Sequence, residues 1–129
     1  MITINSKSDK RLIVEGLVNG KTANFLIDTG ASIALIDRNQ RKEYNLIAKR
    51  NYPGTIVGAG GELRNLKICD TFVKIEHKLI SQFIMADIDS IVKSIKRETG
   101  IKILGIISLP QMKFVGINID TNDNVIIIE

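Results

Sequence analysis

Isoleucine supplies 24 of the 129 residues and valine seven more, whereas alanine supplies only six and tryptophan none. β-Branched side chains lose rotamer freedom in a helix and pack well on a pleated surface, while alanine is the best helix former. A chain with this apolar stock builds its core from strands. A length of 129 residues is enough for one hydrophobic core and leaves little room for a second. The expectation is one mainly β domain over residues 1–129, and a bilobed molecule is disfavoured.

Periodicity places the elements. Residues 12–18 read as a strand, Asn19-Gly20 as a two-residue hairpin turn and residues 22–27 as the returning strand. A polar turn, Asp28-Thr29-Gly30-Ala31-Ser32, separates these from a further apolar strand at residues 33–36. Asp37 can cap a short helix through Tyr44, stopped at Asn45. Beyond a break at residues 52–54, residues 55–57 and 62–69 read as two arms of a hairpin tipped by Gly58, Ala59, Gly60 and Gly61. Residues 70–76 and 79–86 read as two more strands. The period then changes, because Ile88, Ile91, Val92 and Ile95 recur at helical spacing opposite Lys93, Lys96, Arg97 and Glu98. Asp87 or Asp89 supplies the cap and Gly100 the stop. Strands are expected again at residues 101–107, 114–120 and 125–128, with a short segment around Pro110 after the first.

Several function classes are disfavoured at once. The formal charge of +4 is spread over scattered basic residues with few aromatics between them, so no nucleic-acid surface is expected. One cysteine, Cys69, rules out an internal disulfide and suits a reducing compartment, and with one histidine, His77, no metal site is expected. The first residues turn polar at Asn5, unlike a signal peptide, and no apolar run approaches the ~20 residues needed to cross a bilayer. The expected location is the cytoplasm, with no membrane partner.

The residues 25–32 are the candidate for chemistry. They place a carboxylate, Asp28, at the end of an apolar strand, with a hydroxyl and a glycine immediately after it. From composition alone, Asp followed by Thr or Ser and then Gly is expected about 0.07 times in such a chain. A catalytic carboxylate needs a rigid strand end and partial desolvation to tune its proton affinity. Thr29 can lock the turn and Gly30 lets another chain or a substrate approach. The same residues also suit a plain Asx turn that satisfies backbone donors.

The residues resemble the retropepsin-like aspartic protease family, the single-domain relatives of retroviral proteases, in a bacterial-type version. The match is strongest over residues 26–32, continues through the next strand and the glycine hairpin, and extends loosely over residues 11–128. The resemblance implies a closed or half-closed β-barrel with one or two short helices. It implies Asp28 as the catalytic residue, Thr29 as a brace across a dimer, and Gly30, Ala31 and Ser32 as the rest of the supporting loop. Gly58, Ala59, Gly60 and Gly61 then look like the flap that closes over a bound peptide.

Such hydrolysis uses two carboxylates sharing one proton around a water. The other Asp-Thr and Asp-Ser pairs, at residues 70–71, 89–90 and 120–121, lack a following glycine. The expected assembly is therefore a homodimer in which a twofold axis sets Asp28 against Asp28. The expected activity is a cofactor-free aspartic endopeptidase acting on peptides or proteins; the alternative is a peptide-binding or assembly module that keeps the fold without catalysis. Family members also carry two apolar residues and a glycine beneath the active-site turn. Ile103-Leu104-Gly105 matches literally, while Ile106-Ile107-Ser108 sits at the more usual distance from Ile119-Asp120 with serine in place of glycine, which would crowd the turn. The helix after Asp87 resembles an insertion of bacterial members and is expected to cover one face of the sheet.

Overall fold

The computed structural model describes residues 1–58 and 61–129. Its elements begin with β1 (Ile2–Asn5), β2 (Ile13–Val18), β3 (Lys21–Asp28) and β4 (Ala34–Asp37), then a 3-10 turn (Arg38–Gln40), α1 (Arg41–Tyr44) and β5 (Ala48–Asn51). Six short strands follow: β6 (Ile56–Gly58), β7 (Gly61–Leu63), β8 (Lys67–Cys69), β9 (Val73–Ile75), β10 (Lys78–Ile80) and β11 (Phe83–Ala86). After these come α2 (Asp89–Thr99), β12 (Ile103–Ser108), α3 (Leu109–Val115), β13 (Ile117–Asp120) and β14 (Val125–Ile128).

The main sheet runs β10-β9-β2-β3-β12-β4-β11-β8-β5 and curls into a half-barrel. A smaller sheet runs β1-β14-β13, and β6 and β7 pair as a hairpin. Fourteen of the 24 isoleucines are buried, so the isoleucine surplus is the core itself. Successive side chains of a strand point to opposite faces. Phe25, Ile27, Ile36 and Ile107 therefore enter one cluster, with Phe83 and Met85, while Leu26, Leu35 and Ile106 enter the other. α3 and the small sheet cover the first face through Met112, Ile117, Ile126 and Ile128. Val92 and Ile95 of α2, with Ile88 just before it, cover the second, as expected of that helix. Because both faces are covered, the central strands β4, β11 and β12 are buried at every position. Their sequences are accordingly near-continuous apolar runs.

Several details differ from the sequence reading. Residues 62–69 are two strands, because Asn65 adopts a left-handed φ of 55° that turns the chain from β7, in the hairpin, to β8, in the main sheet. Gln82, at φ 67°, likewise splits residues 79–86. Phe114 and Val115 belong to α3, which Pro110 in its first turn and Gly116, at φ 80°, delimit. β1 and β5 are additional strands, each four residues long. Among the described residues no helix is long and apolar enough to cross a membrane.

Ile88, with no side-chain cap bond, is the N-cap of α2, so neither Asp87 nor Asp89 is the capping residue the sequence suggested. Asp87, just before it, closes the turn into the helix, its Oδ1 accepting from the Asp89 N–H at 3.1 Å and from the Asn39 amide at 2.6 Å. The Asn39 bond first, then the Asp89 bond, hold this carboxyl below the usual carboxylate range, and the charges of Arg38 and Lys93 act in the same direction. A carboxyl with a depressed folded-state pKa stabilises the fold above its unfolded value and ceases to do so as pH falls through the folded one. The stability advantage of wild type over Asp87→Asn, read from urea midpoints, is expected in full at neutral pH and should shrink below about pH 4. An advantage that persisted undiminished at pH 2 would contradict this role.

Candidate active site

The turn carrying Asp28 joins two strands that do not pair with each other. β12 lies between β3 and β4, parallel to the first and antiparallel to the second, so the chain leaving β3 crosses the end of β12 to enter β4. The register sets Ile107 beside Ile27 and Ser108 beside Asp28. The strand end is held from both sides, since Ile27 is anchored in one core cluster and Leu26 in the other.

Asp28 is half-buried at this end. Its Oδ1 accepts from the Gly30 N–H at 2.9 Å and its carbonyl from the Ala31 N–H at 3.1 Å. A Cβ on Gly30 would sit 3.3 Å from Oδ1, so glycine at that position keeps the carboxylate uncrowded. The Ala31 carbonyl accepts from the Leu109 N–H at 3.2 Å, tying the turn to the start of α3. Thr29 and Ser32 are exposed and Ala31 is half-buried.

Pairing with Asp28 identifies Ile106-Ile107-Ser108 as the segment beneath the turn. The crowding expected of Ser108 does not arise, because the serine starts α3. It forms a capping box with Gln111, in which the Ser108 hydroxyl accepts from the Gln111 N–H and the Ser108 N–H donates to Gln111 Oε1 at 3.2 Å. The Gln111 amide in turn donates to the Ser81 carbonyl at 2.6 Å. Gly105 acts elsewhere in the sheet. A Cβ there would collide with the Leu35 carbonyl oxygen, so glycine permits the close approach of β12 and β4.

Asp28 opens into a groove of about 710 Å³. Leu26, Leu35 and Ile106 are among its apolar lining residues, Ile56 and Val57 of β6 contribute to it, and so do Ser90, Ile91 and Ser94 of α2. Val57 is 78% exposed, a large hydrophobe left in solvent. Gly58 and Gly61 face each other across the β6–β7 hairpin, and Ala59 and Gly60 lie outside the described residues. Arg11 also lines the groove, its Nε 3.0 and 3.1 Å from the two Glu98 oxygens and its Nη2 3.0 Å from one of them. This bond raises the Arg11 pKa and lowers that of Glu98, and the charge of Asp28 adds to the effect on Arg11. A smaller groove of about 420 Å³, lined by Tyr52, Leu79 and Phe114 among others, shares Ser32 and Ile33 with the first. Its described lining holds no carboxylate.

A family model described as aspartyl protease matches residues 14–106, which include the Asp28 turn, the glycine hairpin and α2. The chain belongs to the aspartyl protease family. Solved structures of retropepsin-like members share the fold. The EIAV protease complexed with the inhibitor HBY-793 superposes with a TM-score of 0.61 at 21% identity, covering 88% of this chain and 95% of that one. The retroviral protease-like domain of Ddi1 from Leishmania major gives 0.61 at 18% identity, covering 92% and 88% respectively. A retropepsin-like aspartic protease from Rickettsia conorii gives 0.60 at 20% identity, covering 97% and 95%. No curated protein sequence matches significantly.

Within this family fold, the structure brings to the groove residues that the sequence reading did not assign to a site. Arg11, Ser90, Ile91 and Ser94 line the same groove as Asp28. A signal for two of them exists in the sequence: Ser90 and Ser94 fall four apart, between the apolar stripe of α2 and its charged face.

Proposed function

We propose that two copies of this chain, each a single retropepsin-like domain over residues 1–129, form a cofactor-free aspartic endopeptidase with one Asp28 from each copy. The observation that carries this reading is that Asp28 is the sole carboxylate among the described groove residues. General acid–base hydrolysis needs a second one, and a twofold axis supplies it. One Asp28 takes a proton from a water that attacks the scissile carbonyl, while the partner's protonated Asp28 donates to the carbonyl oxygen. In this reading Thr29, exposed beside it, braces the two loops, and Gly30, Ala31 and Ser32 hold the carboxylate. The β6–β7 hairpin with Gly58, Ala59, Gly60 and Gly61 serves as the flap, offering strand edges to an extended peptide.

The alternative of a binding module without catalysis gains nothing from Ser108, whose hydroxyl is engaged by α3. A single cysteine, Cys69, which leaves no internal disulfide to form, suits the reducing cytoplasm in this reading. The assembly predicts its own kinetics. Below the dimer dissociation constant, cleavage rate is expected to rise with the square of protein concentration, with sedimentation showing dimer over the same range. A rate strictly proportional to concentration from a sedimenting monomer would overturn the shared site.

A further inference from the structure

α2 covers the core with one side, and its neighbouring side does something else. Val92 and Ile95 are buried in the cluster beneath, whereas Ser90 and Ser94, one turn apart and exposed, line the groove that holds Asp28. The next position on that stripe, Glu98, is held by Arg11 through two of its nitrogens, and the Glu98 carbonyl accepts from Lys10 Nζ at 3.1 Å. The helix is thus pinned at both ends, by Asp87 at its start and by Arg11 and Lys10 at its finish. These bonds, with Val92 and Ile95 buried beneath, hold the helix in place beside the groove. What the groove admits depends on the size of the side chains the helix presents, and here both are small.

We propose that α2 is the specificity wall of this groove and that Ser94 sets the width of the space beside Asp28. This rests on the endopeptidase reading above. The small serine leaves room for a bulky apolar substrate side chain lying over Leu26, Leu35 and Ile106. Filling that room from the helix excludes the bulky side chain and favours a small one. A difference of a single methylene in an apolar pocket changes the relative kcat/KM by roughly 10- to 200-fold.

The test compares two peptides that differ only in carrying leucine or alanine next to the scissile bond, cleaved by wild type, Ser94→Phe and Lys96→Phe. Lys96 is exposed on the same helix and does not line the groove, so its variant controls for an added phenylalanine on α2. Ser94→Phe is expected to lower the leucine-to-alanine ratio of kcat/KM by about tenfold or more, with its urea midpoint and the ratio of Lys96→Phe both unchanged. An unchanged ratio in a folded, active Ser94→Phe overturns the wall and leaves the endopeptidase standing. A wild type with no Asp28-dependent cleavage of either peptide overturns both.

Discussion

Asp28→Asn is expected to abolish peptide cleavage while leaving the fold intact. The amide has the shape of the carboxylate and retains an oxygen for the Gly30 N–H, 2.9 Å from Oδ1, so the turn keeps its closing bond. What it loses is the capacity to take a proton from water. In a symmetric dimer the substitution enters twice, removing both the base and its acid partner, so the two losses cannot be separated. One positioned acid or base contributes about 10²- to 10⁴-fold, and losing the pair should reduce kcat/KM for any susceptible peptide by at least about 10⁴-fold. Measurement over a peptide library at mildly acidic pH checks the loss. Urea denaturation should show stability within about 0.5 kcal/mol of wild type, as for other substitutions away from core, cap and strained sites. Cleavage surviving in the variant would place the chemistry elsewhere.

Gly105→Ala is expected to have the largest effect on stability. The new Cβ would collide with the Leu35 carbonyl oxygen and would lie 3.3 Å from both the Ile36 Cα and the Phe25 ring. Two of these neighbours are backbone of β4, which is buried at every position and pairs with β12 on one side and β11 on the other. Neither strand can move aside without breaking ladder bonds. Overpacking a well-packed core costs roughly 1–3 kcal/mol and occasionally more, and a clash with fixed backbone belongs at the upper end, about 3 kcal/mol. The urea midpoint should fall accordingly. A variant as stable as wild type would show that the strands do not approach this closely. Gly105 thereby illustrates how a literal motif match can be right about importance and wrong about place. It packs strands together, while Ser108 is the residue that pairs with Asp28.

Features decided by neighbours in sequence were legible. Asn19 and Gly20 take φ values of 50° and 84°, as the hairpin turn requires, and Gly100 ends α2 at 78°. The Asp28 turn is of the same kind, closed within three residues by its own backbone. Features decided by distant partners were not. That β12 separates β3 from β4 depends on a segment far along the chain, and two candidate registers stayed open until the pairing of Ser108 with Asp28 chose between them. β5 carries almost no apolar signal, being exposed at three of its four positions. Phe114 suggested a strand, yet it is 92% exposed on a helix that a capping box and a proline initiate. The groove wall from α2 was hidden for a related reason: periodicity reports which side of a helix is buried, not what its remaining sides face.

The central claim is that one active site needs two chains, and the separation of the two Asp28 carboxylates tests it most directly. A crystal structure of the protein with a non-cleavable peptide should show a twofold dimer with these groups about 3 Å apart, close enough to share a proton, beneath the two β6–β7 hairpins. A cleaving monomer, or a dimer that binds the peptide with its Asp28 carboxylates held in separate grooves, would contradict it.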